Sequence, residues 1–234
     1  MKENYKSLFN DIFYEDDIED DSDFIVNTDK NIIEIFNCKP IAKYMNKYNN
    51  VGDILTYDIK TNFFYILKNN SYIKDIKIDK KKYGKVIGIC VGKGLWLATE
   101  YDYTVLTHWC EDYVSDLYND KLELNSDGYH NTKYILKYYR YDIFAANYNI
   151  FYDLYNLNIT GLGKHVCYLP NIFELQEICE NNNKIQLPKS AYFSSSVPTD
   201  KVSHVYIQNF IGHNLYSNYK NSNYNALALL HFKK

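Results

Sequence analysis

The apolar positions of this chain fall into short runs with two different periods. Lys85-Val86-Ile87-Gly88-Ile89-Cys90-Val91 and Leu95-Trp96-Leu97-Ala98 are near-continuous apolar runs of strand length, and the glycines of Gly92-Lys93-Gly94 between them predict a hairpin. Gly52-Asp53 opens a further strand towards Asp58, and Phe63-Phe64-Tyr65-Ile66-Leu67 makes another. Later in the chain, 166–169, 191–195, 204–210 and 226–232 read as strands. Helical spacing occurs twice. After the turn Asn125-Ser126-Asp127-Gly128, Asn131 or Thr132 caps a helix running through Ile135, Leu136, Tyr139 and Ile143 to Ala146. In the second, Ile172, Leu175, Ile178 and Cys179 share one face. Asn171 is its N-cap and Glu174, three residues on, completes a capping-box signature, while Pro170 prevents an earlier start. Strands, helix, glycine loop at 156–164, helix and strands again is the order of an α+β domain with its helices between sheet halves.

Residues 1–50 break this pattern. Leu8, Phe9, Ile12 and Phe13 form an apolar patch, followed by the acidic run Glu15-Asp16-Asp17-Ile18-Glu19-Asp20-Asp21-Ser22-Asp23, which repels itself and favours extended chain. Ile32, Ile33, Ile35 and Phe36 give a second patch. The segment reads either as a terminal arm or as a docking arm that orders on a partner through Leu8, Phe9, Ile12 and Phe13. The expected organisation is an N-terminal docking arm over 1–50, a β entry segment over 51–83 and a main domain over 84–234.

Composition narrows the function classes. With 234 residues and 46% hydrophobic side chains, the chain can bury a full core. A net charge of −3 argues against nucleic acid as a partner. The 26 Tyr, together with a single Arg at position 140, are what AT-rich coding produces, so Tyr or Asn richness alone carries little weight. Five Cys without a CxxC pair read as buried thiols of a reducing compartment. No apolar run reaches membrane-spanning length, and Met1-Lys2-Glu3-Asn4-Tyr5-Lys6 leads into acid rather than an apolar signal core, so synthesis in a cytoplasm is expected.

Candidate chemistry is sparse. The six His lack HxH or HExxH spacing, so no metal site and no cofactor are expected. Gly92-Lys93-Gly94 lacks the spacing of a phosphate loop. Ser194-Ser195-Ser196 has no nucleophile-elbow context and reads as strand-end serines bonding backbone. Trp96 and Trp109 read as core anchors, Cys167 and Cys179 as core thiols, and Glu174 as a capping residue. The segment from Gly212 to Asn225, read as a loop between strands, is rich in Tyr, Asn and Ser. Such a mixture combines rigid amphipathic contact area with adaptable hydrogen bonding.

Four motifs in order carry a resemblance: Asp127-Gly128…Asn131-Thr132, Tyr168-Leu169-Pro170…Glu174-Leu175, Tyr192-Phe193-Ser194-Ser195-Ser196 and a closing apolar strand. Together they resemble the C-type-lectin-like domains of Bacteroidales surface proteins and phage virion appendage proteins. That family has a Gly-x-x-Asn-Thr helix start, a Trp-Tyr-Leu-Pro-Ser junction and a Tyr-Trp-Ser-Ser-Ser strand. Cys167, Asn171 and Phe193 here replace its Trp, Ser and Trp. The resemblance extends over 51–234. It implies a C-type-lectin-like fold, and a binding surface before the last strand, at Tyr216, Asn218, Tyr219, Asn221 and Tyr224. The calcium-coordinating triplets of animal lectins are missing, as is the Cys set of their disulfides, and this argues against calcium-dependent sugar binding. The role implied is a non-enzymatic virion protein (head fibre, collar or tail appendage) assembled in the host cytoplasm. Its partners would be other virion proteins and a host-surface glycan or protein, and it would form a homo-oligomer, a trimer for preference, without membrane insertion. The alternative is an intracellular, non-catalytic ligand-binding module of a bacterium or large virus.

Overall fold

The computed structural model describes residues 28–29, 32–36, 45, 50–68, 78–110, 127–138, 149–201 and 203–232. The docking patch at Leu8, Phe9, Ile12 and Phe13 lies outside the described residues, as does Cys38. In chain order the elements are β1 (Thr28–Asp29), β2 (Ile32–Phe36), β3 (Ile54–Asp58), β4 (Phe63–Leu67), α1 (Lys80–Tyr83), β5 (Lys85–Gly92) and β6 (Leu95–Ala98). Then come α2 (Gly128–Tyr138), α3 (Ile150–Asn156), β7 (Asn158–Ile159), β8 (Gly163–Lys164), β9 (Cys167–Tyr168), α4 (Ile172–Glu180) and α5 (Asn182–Ile185). The last are β10 (Ala191–Phe193), β11 (His204–Asn209), β12 (Asn214–Tyr219) and β13 (Leu229–Leu230).

Helices interspersed among antiparallel sheets make the architecture α+β. One sheet has eight strands in the order β1-β2-β4-β3-β5-β6-β13-β9, a second has β10-β11-β12, and β7 and β8 form a small hairpin. Its last strand in sequence, β13, sits between β6 and β9, with Leu229 opposite both Leu97 and Tyr168. The large sheet runs through the expected boundaries at 50 and 83, because β2 pairs with β4 and β3 pairs with β5.

The apolar runs are continuous because the central strands are covered on both faces. Period-two alternation then divides β6 between two cores. Trp96 and Ala98 of β6 join Cys90, Ile135, Phe151, Leu154, Phe193, Val205 and Ile207 on one side. Leu95 and Leu97 join Val91, Tyr168, Leu175, Ile178, Tyr192 and Leu229 on the other. Helices α2 and α3 cover the first face and α4 the second. Each fully buried Leu, Ile or Phe contributes about 1.5–3 kcal/mol.

Two local expectations are corrected, and one further turn is added. Helix α2 starts at Gly128 rather than after Asn131 or Thr132. Asp127 is the cap, its Oδ1 accepting from His130 N at 2.8 Å, which leaves the next two cap-type residues inside the helix. The Lys80-Lys81-Lys82 connector winds into the exposed single turn α1, capped by Asp79. The 212–225 segment is not all loop: its first half is β12, paired with β11 over six positions from His204↔Tyr219 to Asn209↔Asn214.

Candidate functional site

The resemblance motifs lie far apart in sequence and meet at one buried polar junction. Asn171 Oδ1 accepts from Glu174 N at 2.8 Å, and Glu174 Oε2 accepts from Asn171 N at 2.6 Å, completing the capping box of α4. The same Oε2 accepts from Gly128 N at 3.1 Å, so one carboxyl serves the first turns of both α4 and α2. A Cβ at Gly128 would lie 2.4 Å from Leu169 O and 2.6 Å from Glu174 Oε2, which is why the helix starts on glycine. Thr132 Oγ1 accepts from Leu169 N at 3.0 Å, and Asn131 Nδ2 donates to Ser195 Oγ at 3.1 Å. Ser196 Oγ accepts from Ile172 N, Ser195 N donates to Pro170 O, and Trp109 Nε1 donates to Ser194 O. The hydroxyls of Ser194 and Ser196 therefore bond backbone groups and Glu174 is a cap, as read from sequence, while the Ser195 hydroxyl bonds the Asn131 amide instead.

Burial pushes the Glu174 carboxyl up to about 7, against the lowering effect of the Asn171 and Gly128 N–H groups, and the nearby Asp127 adds to the rise. Tyr168, whose hydroxyl donates to Glu174 Oε1 at 3.3 Å, is held well above the ordinary tyrosine range, mainly by burial.

The Tyr/Asn residues sit at the edge of the three-stranded sheet. Strand alternation puts Tyr216 and Asn218 on the same side as their β11 partners Ile207 and Val205, which are core. Tyr224 joins them. Its ring lies 6.3 Å from that of Tyr216, edge-on, and Asn218 Nδ2 donates to its hydroxyl at 2.7 Å. Burial and the Tyr224 hydroxyl push Tyr216 up to about 12. Tyr219 points to the opposite face and packs on His204 with ring centroids 4.4 Å apart. Tyr216 and Tyr219 are 36% and 55% exposed, and Asn221 is exposed beyond the strand end. The structure thus gathers Tyr216, Asn218 and Tyr224, and places Tyr219 and Asn221 apart from them.

Two features of this region were not read from the sequence. Lys220 is fully buried, with its ammonium 5.1 Å from the Trp109 ring centroid, a cation–π contact that holds the end of β12 inward. Beside it, Thr107 and Tyr224 exchange backbone hydrogen bonds at 2.9 Å in each direction. Thr107 also lines an open hollow of about 420 Å³ bounded by Tyr101, Asp102, Leu106, His108 and Asp153. Val105 and Leu106 at its rim are 55% and 61% exposed. The Thr-Val-Leu-Thr run at 104–107 was the available signal, since it places two large apolar residues in a turn.

The cysteines divide between the two cores. Cys167 lies with α2 and α3, and Cys179 with α4, on opposite sides of the sheet. Burial pushes the thiols of Cys90 and Cys167 up to about 12, away from thiolate chemistry. Among the described residues no three His, Cys, Asp or Glu side chains gather to hold a metal ion, and no helix is long and apolar enough to cross a membrane. In comparisons with known proteins, no family model matches the chain, and no curated protein or solved structure matches it.

Proposed function

We propose that this chain is a non-catalytic recognition protein whose 84–234 region is a C-type-lectin-like domain, carried on a bacteriophage virion as a head-fibre, collar or tail appendage. The observation that carries this reading is the polar junction. Residues quoted for the resemblance across 128–196 bond directly to one another, which is what a shared scaffold requires of them. Composition adds that the 211–224 segment has one charged residue, Lys220, and that this lysine is buried. The face so formed offers aromatic rings, amides and hydroxyls to a neutral partner, such as a glycan or an uncharged protein surface. Docking is assigned to Leu8, Phe9, Ile12 and Phe13, and assembly as a homotrimer follows the symmetry common among such appendages.

Mass spectrometry of purified particles tests the setting: the chain should be present at a fixed ratio to the capsid protein, and its absence from particles overturns the virion role. Light scattering of the purified chain tests the assembly: a trimer is expected, and a monomer at micromolar concentration overturns it.

A further inference from the structure

We infer that the corner where the β11–β12 hairpin meets the end of α4 is a binding site for a single thiophilic cation of the Zn²⁺ class, held by Cys179 and His213. Cys179 lies on the last turn of α4, and His213 at the tip of the hairpin, 34 residues later, reaches back so that its Nδ1 is 3.3 Å from Cys179 Sγ. Gln208 of β11, only 2% exposed, aims its amide at the same sulfur, with Nε2 at 3.6 Å, and its Oε1 has no hydrogen-bond partner among the described residues. The oxygen and nitrogen of an amide exchange by a half-turn about the last side-chain bond, so either can face the sulfur.

These separations match a coordination shell. A tetrahedral Zn²⁺ with Zn–S of about 2.3 Å, Zn–N of about 2.0 Å and Zn–O of about 2.1 Å sets sulfur about 3.5 Å from nitrogen and about 3.6 Å from oxygen. The two separations from the sulfur, 3.3 Å to His213 Nδ1 and 3.6 Å to the Gln208 amide, therefore match two edges of such a tetrahedron. His213 is exposed, which gives an ion access and leaves the remaining position to water. Glu180 directly follows Cys179 at the end of α4, and its negative charge favours a cation at this corner. Binding replaces the S–H bond by an S–metal bond and releases the thiol proton to solvent. Because His213 directly precedes β12, an ion here fastens to α4 the strand that carries Tyr216 and Tyr219. The inference stands on this geometry and does not depend on the recognition role.

The test is titration of the reduced, chelator-treated full chain with Co²⁺, followed by displacement with Zn²⁺. A thiolate-to-cobalt absorption in the near ultraviolet should saturate at one equivalent and vanish on adding Zn²⁺. Cys179→Ser should abolish it, and His213→Ala should weaken binding about tenfold or more. His213→Ala alters an exposed tip residue, so it keeps the test decisive where Cys179→Ser fails to fold. No absorption, equal absorption in folded Cys179→Ser, or unchanged affinity in His213→Ala overturns the site.

Discussion

The polar junction at 128–132, 168–174 and 194–196 and the Tyr/Asn edge at 214–224 are built from similar polar residues, yet they hold them under opposite conditions. At the junction Asn131, Thr132, Asn171 and all three serines are buried, and their side chains bond one another and the junction's own backbone. At the edge, Tyr216, Tyr219 and Asn221 are exposed, while Asn218 Nδ2 donates to the Tyr224 hydroxyl. A buried polar group must be satisfied by the protein and so becomes structure, whereas an exposed one keeps hydrogen-bonding capacity for a partner. The same chemistry thus holds the scaffold in one place and offers contacts in the other.

Substitution should separate the two regions. The largest effect is expected at Gly128. The Cβ of Gly128→Ala meets backbone on two sides, at Leu169 and Asn171, and urea denaturation should show a loss of about 3 kcal/mol. Next is Glu174→Ala, which leaves the N–H groups of Gly128 and Asn171 without their acceptor and should cost about 2 kcal/mol in the same assay.

Glu174 also gives the junction a pH dependence of definite sign. Its folded value of about 7 lies above the ordinary 4.5, so between these values the folded state holds a proton that the unfolded chain has lost. Its contribution is therefore full below about pH 4.5 and is lost as pH rises through 7. Glu174→Gln keeps an acceptor for both N–H groups, stays neutral, and should flatten that part of the stability–pH curve. A slope that survives in Glu174→Gln would assign it to another group.

The smallest effects on folding are expected at the edge. Tyr216→Ala and Tyr219→Ala should each change stability by less than about 1 kcal/mol, because both rings are substantially exposed. If the edge is the recognition face, the same variants should lower binding to host cells by about tenfold or more. A large stability loss without a binding loss would instead make the edge part of the scaffold.

Local chemistry made the junction's parts legible. Asn171 and Glu174 are three residues apart, and a capping box requires nothing beyond that spacing, so it could be read directly. The start of α2 could not, since Asp127, Asn131 and Thr132 are all cap-type residues in a row. The choice fell to Asp127 because Asn131 and Thr132 are taken up by Ser195 and Leu169, partners 64 and 37 positions away. The candidate edge was legible as composition but not as geometry: β12 lacks the strong apolar alternation of a half-buried strand, and it pairs because β11 presents a full ladder to it.

The sequence by itself determined the apolar runs of β5 and β6, the helix face of α4 and its capping box, because each depends on neighbours within a few residues. Only the tertiary structure decided that β13 inserts between β6 and β9, that Cys167 and Cys179 fall on opposite sides of a sheet, and that Lys220 lies buried against Trp109. Those outcomes depend on which distant strands pair and which face each presents, and no local period encodes either.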